Sequence, residues 1–226
     1  MRLKPASIEG GVRAPASKSM MQRAVAAALL ARGTTTICYP SWCDDALAAL
    51  SIAESLGATV TRQEAAVLIE SDFPARLQRN RKDANGPVVL SCGEAGLSMR
   101  LFAPLAALSG MDVVLEARGS LARRPMHLIG EALTQLGVSC ATNEGRAPVQ
   151  LRGHLQAGTA TIDGSLSSQL LSGLCMALPC LPGDSLLHVE QLVSTPYVDM
   201  TLELMGAFGL HVTNDNYRRF AFAGGQ

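Results

Sequence analysis

The sequence repeats one pattern of turns and helices three times, which restricts the chain to a small number of architectures. In each copy a polar turn opens a helix with few charges, a strand follows, and a second helix ends at an apolar residue followed by glycine. Two sets of glycines, one after each helix type, recur roughly every 75 residues. They are Gly33, Gly110 and Gly183 after the first helices and Gly57, Gly137 and Gly209 after the second.

Residue periodicity predicts the same element order, βαβαββ, in every copy. A short extended run comes first, at residues 8–14, 87–91 and 159–163. The strand after the first helix is predicted at 34–38, 113–116 and 186–189, and the second helix at 45–56, 125–136 and 198–208. Two further strands close each unit. We place the unit boundaries at about 14–85, 86–157 and 158–226.

The two helix types differ in charge. Residues 164–183 contain no Lys, Arg, Asp or Glu, and residues 97–110 contain only Arg100. A helix that is apolar on every side belongs in an interior, whereas the second helices alternate apolar and charged positions and are expected to be half exposed. The predicted fold class is therefore α/β (α+β), with three units around a pseudo-threefold axis and buried helices at the centre.

Composition excludes several classes of partner. The chain carries 19 basic and 19 acidic side chains, which argues against a surface built for nucleic acid or for an anionic membrane. Six cysteines show no metal-like spacing, and we interpret them as reduced core thiols. The first residues lack an apolar signal segment, so a cytoplasmic location is expected. No metal site is predicted, because the cysteines and histidines form no metal-binding pattern.

The polar turns that open the first helices occupy equivalent points of the three units, so threefold symmetry would bring them together. Convergent helix N-termini attract anions. In the first turn Lys18 and Ser19 stand at a helix start, and Arg23 lies one helical turn further on the same face. These groups could hold a phosphate, although a simply capped helix with a solvated lysine explains the local sequence equally well.

The second unit places Gly96 at a helix start and Arg100 one turn into an otherwise uncharged helix. Arg100 needs a partner there, which could be an anion, Glu94 or neighbouring main-chain carbonyls. Gly96 would either admit a ligand close to the backbone or only relieve crowding. Arg124 precedes Pro125, a plausible first residue of the second helix, and is either an anion-binding guanidinium or an ordinary exposed arginine.

The third unit opens its most apolar helix with three polar side chains, Ser167, Ser168 and Gln169. One serine is enough for a cap, so the surplus favours ligand binding. Ser194 precedes the following outer helix and either caps it or faces the same site, and Tyr197 is either a core residue or a site residue.

Taken together, five segments resemble the 5-enolpyruvylshikimate-3-phosphate synthase family. PASKSMMQRA is similar to the family pattern PGSKSxxxRA, CGEAGLSMR to GNAGTxxR, and LARRPM to LxxRPM. GSLSSQLLSGLCMALP is similar to GSxSSQFLxALLMAAP, and LVSTPYVDMTLELMGAFG to VSKPYxDxTLxxMxxFG. The resemblance extends over the entire chain but only over the front half of the family's length.

The resemblance implies a two-lobed transferase of the shikimate pathway, in which this chain is the N-terminal lobe and the second lobe is absent. Its substrates would be shikimate 3-phosphate and phosphoenolpyruvate, its product would lead to chorismate, and no cofactor is implied. The implied shikimate 3-phosphate contacts are Lys18, Ser19, Arg23, Ser167, Ser168, Gln169, Ser194 and Tyr197. The implied phosphoenolpyruvate contacts are Lys18, Gly96, Arg100, Arg124 and Gln169.

Three positions depart from the family pattern: Glu94 replaces Asn, Leu97 replaces Thr, and Thr195 replaces a basic residue. The family's acid-base groups lie in the second lobe, so Lys18 is the only catalytic residue expected here and the lobe alone is expected to be an inactive monomer. Residues 1–13 would form a first strand and hinge. Two other interpretations remain open: a lobe that acts on UDP-N-acetylglucosamine, and a non-catalytic anion-binding repeat domain.

Overall fold

A computed structural model describes residue 7, residues 9–80 and residues 86–226. The helices are Lys18–Leu30 (α1), Asp44–Ser55 (α2), Ala75–Asn80 (α3), Gly96–Ala107 (α4), His127–Gln135 (α5), Gln169–Ala177 (α6) and Thr195–Ala207 (α7). The first strands are Gly33–Cys38 (β1), Thr59–Arg62 (β2), Ala66–Ser71 (β3), Val88–Ser91 (β4), Val113–Glu116 (β5) and Ser139–Asn143 (β6). The remaining strands are Arg146–Arg152 (β7), Thr159–Asp163 (β8), Ser185–Glu190 (β9), Val212–Asp215 (β10) and Arg219–Phe222 (β11).

Two of the three sheets have the same topology. The strand orders are β4-β5-β7-β6 and β8-β9-β11-β10, with the first two strands parallel and the other pairs antiparallel in both. A parallel pair needs a crossover connection, which α4 and α6 provide. The βαβαββ order predicted for the second and third units is therefore confirmed.

The first sheet differs by one strand. Its order is β1-β3-β2, which corresponds to the other two sheets without their first strand. The extended run predicted at residues 8–14 forms no strand over residues 9–14, and Ile8 lies outside the described residues, as do residues 1–6 of the predicted first strand and hinge. Within the described residues the first unit is therefore αβαββ, followed by the short helix α3.

The central helices are buried, as their lack of charge predicts. Residues 170–177 of α6 are all buried, and α4 is buried except at Arg100. These two helices cross so closely that a Cβ atom on Gly173 would overlap the carbonyl oxygen of Leu101. Glycine is therefore required at position 173 for the backbones to approach.

The outer helices bury one face only. In α2 the buried residues Ala46, Ala49, Leu50 and Ala53 follow the three- and four-residue spacing of a helical stripe. The prediction that Pro125 opens the second outer helix is wrong: α5 begins at His127, because Leu121–Arg123 forms a separate 3-10 turn and the chain remains extended at Arg124. Helix α3 was not predicted.

The six cysteines are all free, but the prediction that they are core residues holds only in part. Cys92 and Cys175 are buried, whereas Cys38, Cys43 and Cys180 are exposed. Burial raises the pKa of the Cys92 thiol to about 12, so this thiol stays protonated and unreactive at neutral pH. Among the described residues, no helix has the length and apolarity needed to cross a bilayer.

Candidate functional site

A cavity of about 360 Å³ lies where the N-terminal ends of α1, α4 and α6 meet, next to the start of α7. Its lining is polar and contains both cations and carboxylates. The lining residues are Lys18, Ser19, Gln22, Arg23, Asp45, Glu94, Gly96, Leu97, Arg124, Ser167, Ser168, Gln169, Ser194 and Tyr197. Helix N-termini carry partial positive charge and free N–H donors, so the convergence predicted from the repeat produces a place for anions.

All the site residues predicted from sequence line this cavity, with the exception of Arg100. The Arg100 guanidinium lies behind the wall, where it donates to Gln169 Oε1 at 3.0 Å and to the Pro125 carbonyl at 3.0 Å. Of the two protein partners that the sequence left open, Arg100 does not pair with Glu94 but bonds to main-chain carbonyls, those of Pro125 and, at 3.5 Å, Gly96. Arg100 therefore connects α4 to the first residue of α6 and fixes the side chain of Gln169.

Lys18, the first residue of α1, forms an ion pair with Asp45. Its Nζ atom lies 2.9 Å from Asp45 Oδ2. The hydrogen bond and the charge of Asp45 raise the pKa of Lys18 above its usual value. Nothing local in the sequence marks Asp45 as a site residue, because it occupies the first turn of α2, where acidic residues are common.

Arg23 is buried, with 1 % of its surface exposed. It donates to Thr201 Oγ1 at 2.8 Å, to Ser172 Oγ at 3.3 Å and to the carbonyls of Ser19 and Tyr197 at 3.0 and 3.2 Å. Burial lowers the pKa of Arg23 to about 10, so the group remains charged at neutral pH. Arg23 therefore connects α1, α6 and α7 directly under the cavity floor.

Some serines of the site accept hydrogen bonds from helix N-termini, and others have hydroxyls that face the cavity. Ser17 accepts a hydrogen bond from the Met20 amide at 3.2 Å and caps α1, which leaves Ser19 for the cavity. Ser167 accepts from the Gln169 amide at 3.1 Å, while Ser168 makes no capping bond to α6. Among the described residues the Ser168 hydroxyl makes no hydrogen bond, so it is available to a ligand in the cavity.

Ser194 precedes α7 in a left-handed backbone conformation, with φ of 62°, and its side chain does not cap the helix. A residue other than glycine in this region costs about 1–2 kcal/mol and is often found at functional sites. Tyr197 lies in the first turn of the same helix, with its ring 5.7 Å from the Arg23 guanidinium carbon. Both side chains are directed to the cavity by the start of α7.

Two arginines approach each other over Gly96. A Cβ atom at this position would lie 3.1 Å from Arg100 Nη1 and 3.1 Å from Arg124 Nη1. Burial, and secondly the like charge of Arg124, lowers the pKa of Arg100. Glycine at position 96 therefore leaves room for both guanidinium groups, and the Arg124 cation on the cavity wall favours an anionic ligand.

Glu94 supplies a negative charge on the same wall. Its carboxylate accepts a hydrogen bond from the Ser120 amide at 2.8 Å. Hydrogen bonding from Ser120, assisted by the charges of Arg123 and Arg124, lowers the pKa of Glu94 and keeps it ionised. The cavity thus contains its own counter-charge to Arg124. Leu97 adds an apolar surface at the start of α4.

An α/β lobe of repeated units, with a polar cavity at convergent helix N-termini, defines the class of protein. The solved structure of the EPSP synthase of Acinetobacter baumannii superposes with a TM-score of 0.79 at 25 % identity, over 96 % of this chain and 47 % of that chain. The lobe therefore has the enolpyruvyl transferase fold.

The family model described as EPSP synthase (3-phosphoshikimate 1-carboxyvinyltransferase) matches residues 3–226. The 3-phosphoshikimate 1-carboxyvinyltransferase of Klebsiella pneumoniae is 37 % identical over the whole of this chain and 53 % of its own length. That of Clostridium botulinum is 30 % identical over the whole of this chain and 52 % of its own length. The chain belongs to the EPSP synthase family, and it spans about half the length of the curated relatives it matches.

Proposed function

We propose that this chain is the N-terminal, shikimate 3-phosphate-binding lobe of an enolpyruvyl transferase. The reaction transfers the enolpyruvyl group of phosphoenolpyruvate to the 5-hydroxyl of shikimate 3-phosphate and releases phosphate. The observation that carries this proposal is the single cavity at three helix N-termini, which contains all but one of the residues that the family resemblance implies. Both substrates are polyanions, and the cavity offers cations, hydroxyls and free amide N–H groups.

The shikimate 3-phosphate contacts are assigned to the side of the cavity formed by α1, α6 and α7. Lys18 and Ser19 supply an ammonium and a hydroxyl at the start of α1, and Ser168 supplies a free hydroxyl at the start of α6. The further members of this set are Arg23, Ser167, Gln169, Ser194 and Tyr197. Arg23 already donates to protein acceptors, so its main contribution is to hold this side in place and to add its positive charge.

The phosphoenolpyruvate contacts are assigned to the α4 side, where Gly96 and Arg124 line the cavity. Lys18 and Gln169 stand between the two substrates, and Arg100 acts through Gln169. The 5-hydroxyl would lose its proton to a base as its oxygen bonds to C2 of phosphoenolpyruvate, while C3 gains a proton from an acid and the C2–C3 double bond becomes single. Loss of one proton from C3 and of phosphate from C2 of the tetrahedral intermediate then restores the double bond and gives the product. Lys18 is the one group of this lobe proposed to act in catalysis.

Binding of shikimate 3-phosphate, measured by titration calorimetry, tests the proposal. We expect binding to this chain, weakened roughly tenfold or more in Lys18→Met, because a charge-assisted hydrogen bond is lost. Preference for UDP-N-acetylglucosamine, or equal binding of any phosphate, would instead support one of the two other interpretations.

Phosphate release tests the catalytic part. We propose that this chain alone has negligible turnover, because general acid-base groups must lie within hydrogen-bond reach of the substrate and the family's groups belong to the second lobe. Adding that lobe in trans should restore phosphate release. A folded pair of lobes that binds both substrates and releases no phosphate would contradict the assignment.

We further propose that the protein is a cytoplasmic monomer that binds neither nucleic acid nor membranes. The equal numbers of acidic and basic side chains support the last two points. The unit boundaries at about residues 85 and 157 are proposed from the repeat. Sedimentation tests the monomeric state, and a nucleic-acid shift assay tests the expected lack of nucleic-acid binding.

A further inference from the structure

One cavity residue belongs to neither substrate set. Gln22 follows Lys18 by one helical turn, lines the cavity and is fully buried, with 0 % of its surface exposed. A buried side-chain amide needs partners for one acceptor oxygen and two N–H donors. The bonding of these three groups in the structure determines what Gln22 can offer to a ligand.

The acceptor oxygen of Gln22 is occupied. Ser98, on the first turn of α4 and also 0 % exposed, donates its hydroxyl to Gln22 Oε1 at 2.9 Å. This bond connects the second turn of α1 to the first turn of α4, the two helices that carry Lys18 and Gly96. With its oxygen engaged by Ser98, the amide can act toward a ligand only as a donor.

The donors of Gln22 are poorly satisfied. Gln22 Nε2 reaches the Lys18 carbonyl at 3.5 Å, which is long for a hydrogen bond. Within the described ranges no other acceptor bonds to this nitrogen, so at least one amide hydrogen lacks a protein partner. An unsatisfied buried donor is costly, and an anionic oxygen in the cavity would satisfy it.

We propose that Gln22 is a further ligand-binding residue, which donates its free amide N–H to an anionic oxygen between the α1 and α4 turns, and that Ser98 is the positioning residue that orients it. The inference rests on the proposed function only to the extent that the cavity binds an anion. Because the oriented amide presents donors alone, it favours anions over neutral groups of the same size.

The decisive variant is Gln22→Glu. It keeps the side-chain length and an acceptor for Ser98, but replaces the donors with a negative charge. We expect the dissociation constants of inorganic phosphate and shikimate 3-phosphate to rise roughly tenfold or more. Gln63→Glu makes the same charge change in the exposed turn between β2 and β3 and is expected to stay within about twofold.

Two neutral variants separate ligand binding from a structural role. Gln22→Met removes the donors without adding charge and is expected to weaken phosphate binding roughly three- to tenfold. Ser98→Ala should weaken it less, and Ser98→Thr, which retains the hydroxyl, should restore it. A purely structural role would lower the melting temperature of these variants and leave the dissociation constants unchanged.

The side-chain amide resonance of Gln22 gives a direct readout, and it is expected to shift when phosphate is added. The inference is overturned if that resonance does not move at saturating phosphate, or if Gln22→Met is folded and binds phosphate within twofold of the parent chain. Phosphate binding that depends on Gln22 without preference for shikimate 3-phosphate would count against the proposed function alone. Shikimate 3-phosphate binding that is equal in all variants would count against Gln22 alone.

Discussion

The two sides of the cavity hold their cations differently. On the α1 side, Arg23 is surrounded by neutral oxygens of Thr201, Ser172 and main-chain carbonyls, so its charge is supported but not cancelled. On the α4 side, Arg124 approaches a second arginine and shares its wall with the carboxylate of Glu94. The hydrogen bonds of Arg23 are part of the folded core, whereas the charge of Arg124 is balanced by nearby charged side chains whose interactions a bound anion can change. Loss of Arg23 should therefore affect folding first, and loss of Glu94 should affect binding first.

The largest effect is expected from Arg23→Met. The variant removes the buried guanidinium that donates to Thr201, to Ser172 and to two carbonyls, and it leaves an apolar side chain among these oxygens, so we expect a loss of about 3 kcal/mol in the free energy of unfolding. Chemical denaturation measures it. The matched control is Arg62→Met, which breaks the exposed ion pair with Glu54 and should cost less than about 1 kcal/mol. Equal losses in the two variants would show that Arg23 has no special structural role.

A smaller effect is expected from Glu94→Gln. The substitution keeps the shape and an acceptor for the Ser120 amide but removes the negative charge beside Arg124. We expect anion affinity to rise roughly two- to fivefold at low salt, and the gain to shrink as salt is added. Phosphate titration at two ionic strengths measures this change. Unchanged or weaker binding would mean that Glu94 does not oppose the ligand.

The pKa of Glu94 also makes a prediction about stability. Because this pKa is lowered in the folded chain, the carboxylate contributes to stability above its ordinary pKa, and that contribution is lost as pH falls through the lowered value. Glu94→Gln lacks this carboxylate, so its melting temperature should fall less than that of the parent chain as pH is lowered. Thermal unfolding of both chains between neutral and acidic pH measures it, and parallel curves would contradict the expectation.

The smallest effect is expected from Asp45→Asn, and the measured quantity is the pKa of Lys18. Asp45 raises the pKa of Lys18, so the stability that their ion pair adds is present below the ordinary lysine pKa and is lost as pH rises through the raised value. In Asp45→Asn the titration midpoint of Lys18, followed by NMR at Nζ, should move to lower pH. Asp112→Asn removes the partner of Arg152 on the surface and should leave that midpoint in place. An unmoved midpoint in Asp45→Asn would rule out the pair in solution.

Much of the fold could be predicted because its signals are local and repeated. The strand β8 lies where the sequence predicts it, and the lack of charge in α4 and α6 correctly identified the buried helices. Pro125 was misassigned because proline is acceptable both at a helix start and in an extended segment before one. The extended run predicted at residues 8–14 forms no strand over residues 9–14, because alternation of residue types does not specify a partner strand.

The residues that line the cavity could largely be predicted from the sequence, but the hydrogen bonds and ion pairs between them could not. The repeat placed Lys18, Gly96 and Ser168 at equivalent helix starts, and symmetry alone then brought them together. Bonds between units, such as that from Arg100 to Gln169, have no sequence signature, because the two residues are far apart in the chain. For the same reason Gln22 and Asp45 were not recognised: their importance comes from Ser98 and Lys18, which only the folded chain supplies.

The backbone contact between α4 and α6 at Gly173 has a consequence for selectivity. The crossing lies about one turn below the N-terminal ends of both helices, and it joins main-chain atoms with no side chain between them. The distance between the N-terminal ends of α4 and α6 is thus fixed by main-chain contact, and it sets the spacing of the anionic groups in a ligand that binds both ends. Substitution of the residues that line the cavity can change the affinity for such a ligand. A dianion with a different distance between its charges would require a different distance between the two helices.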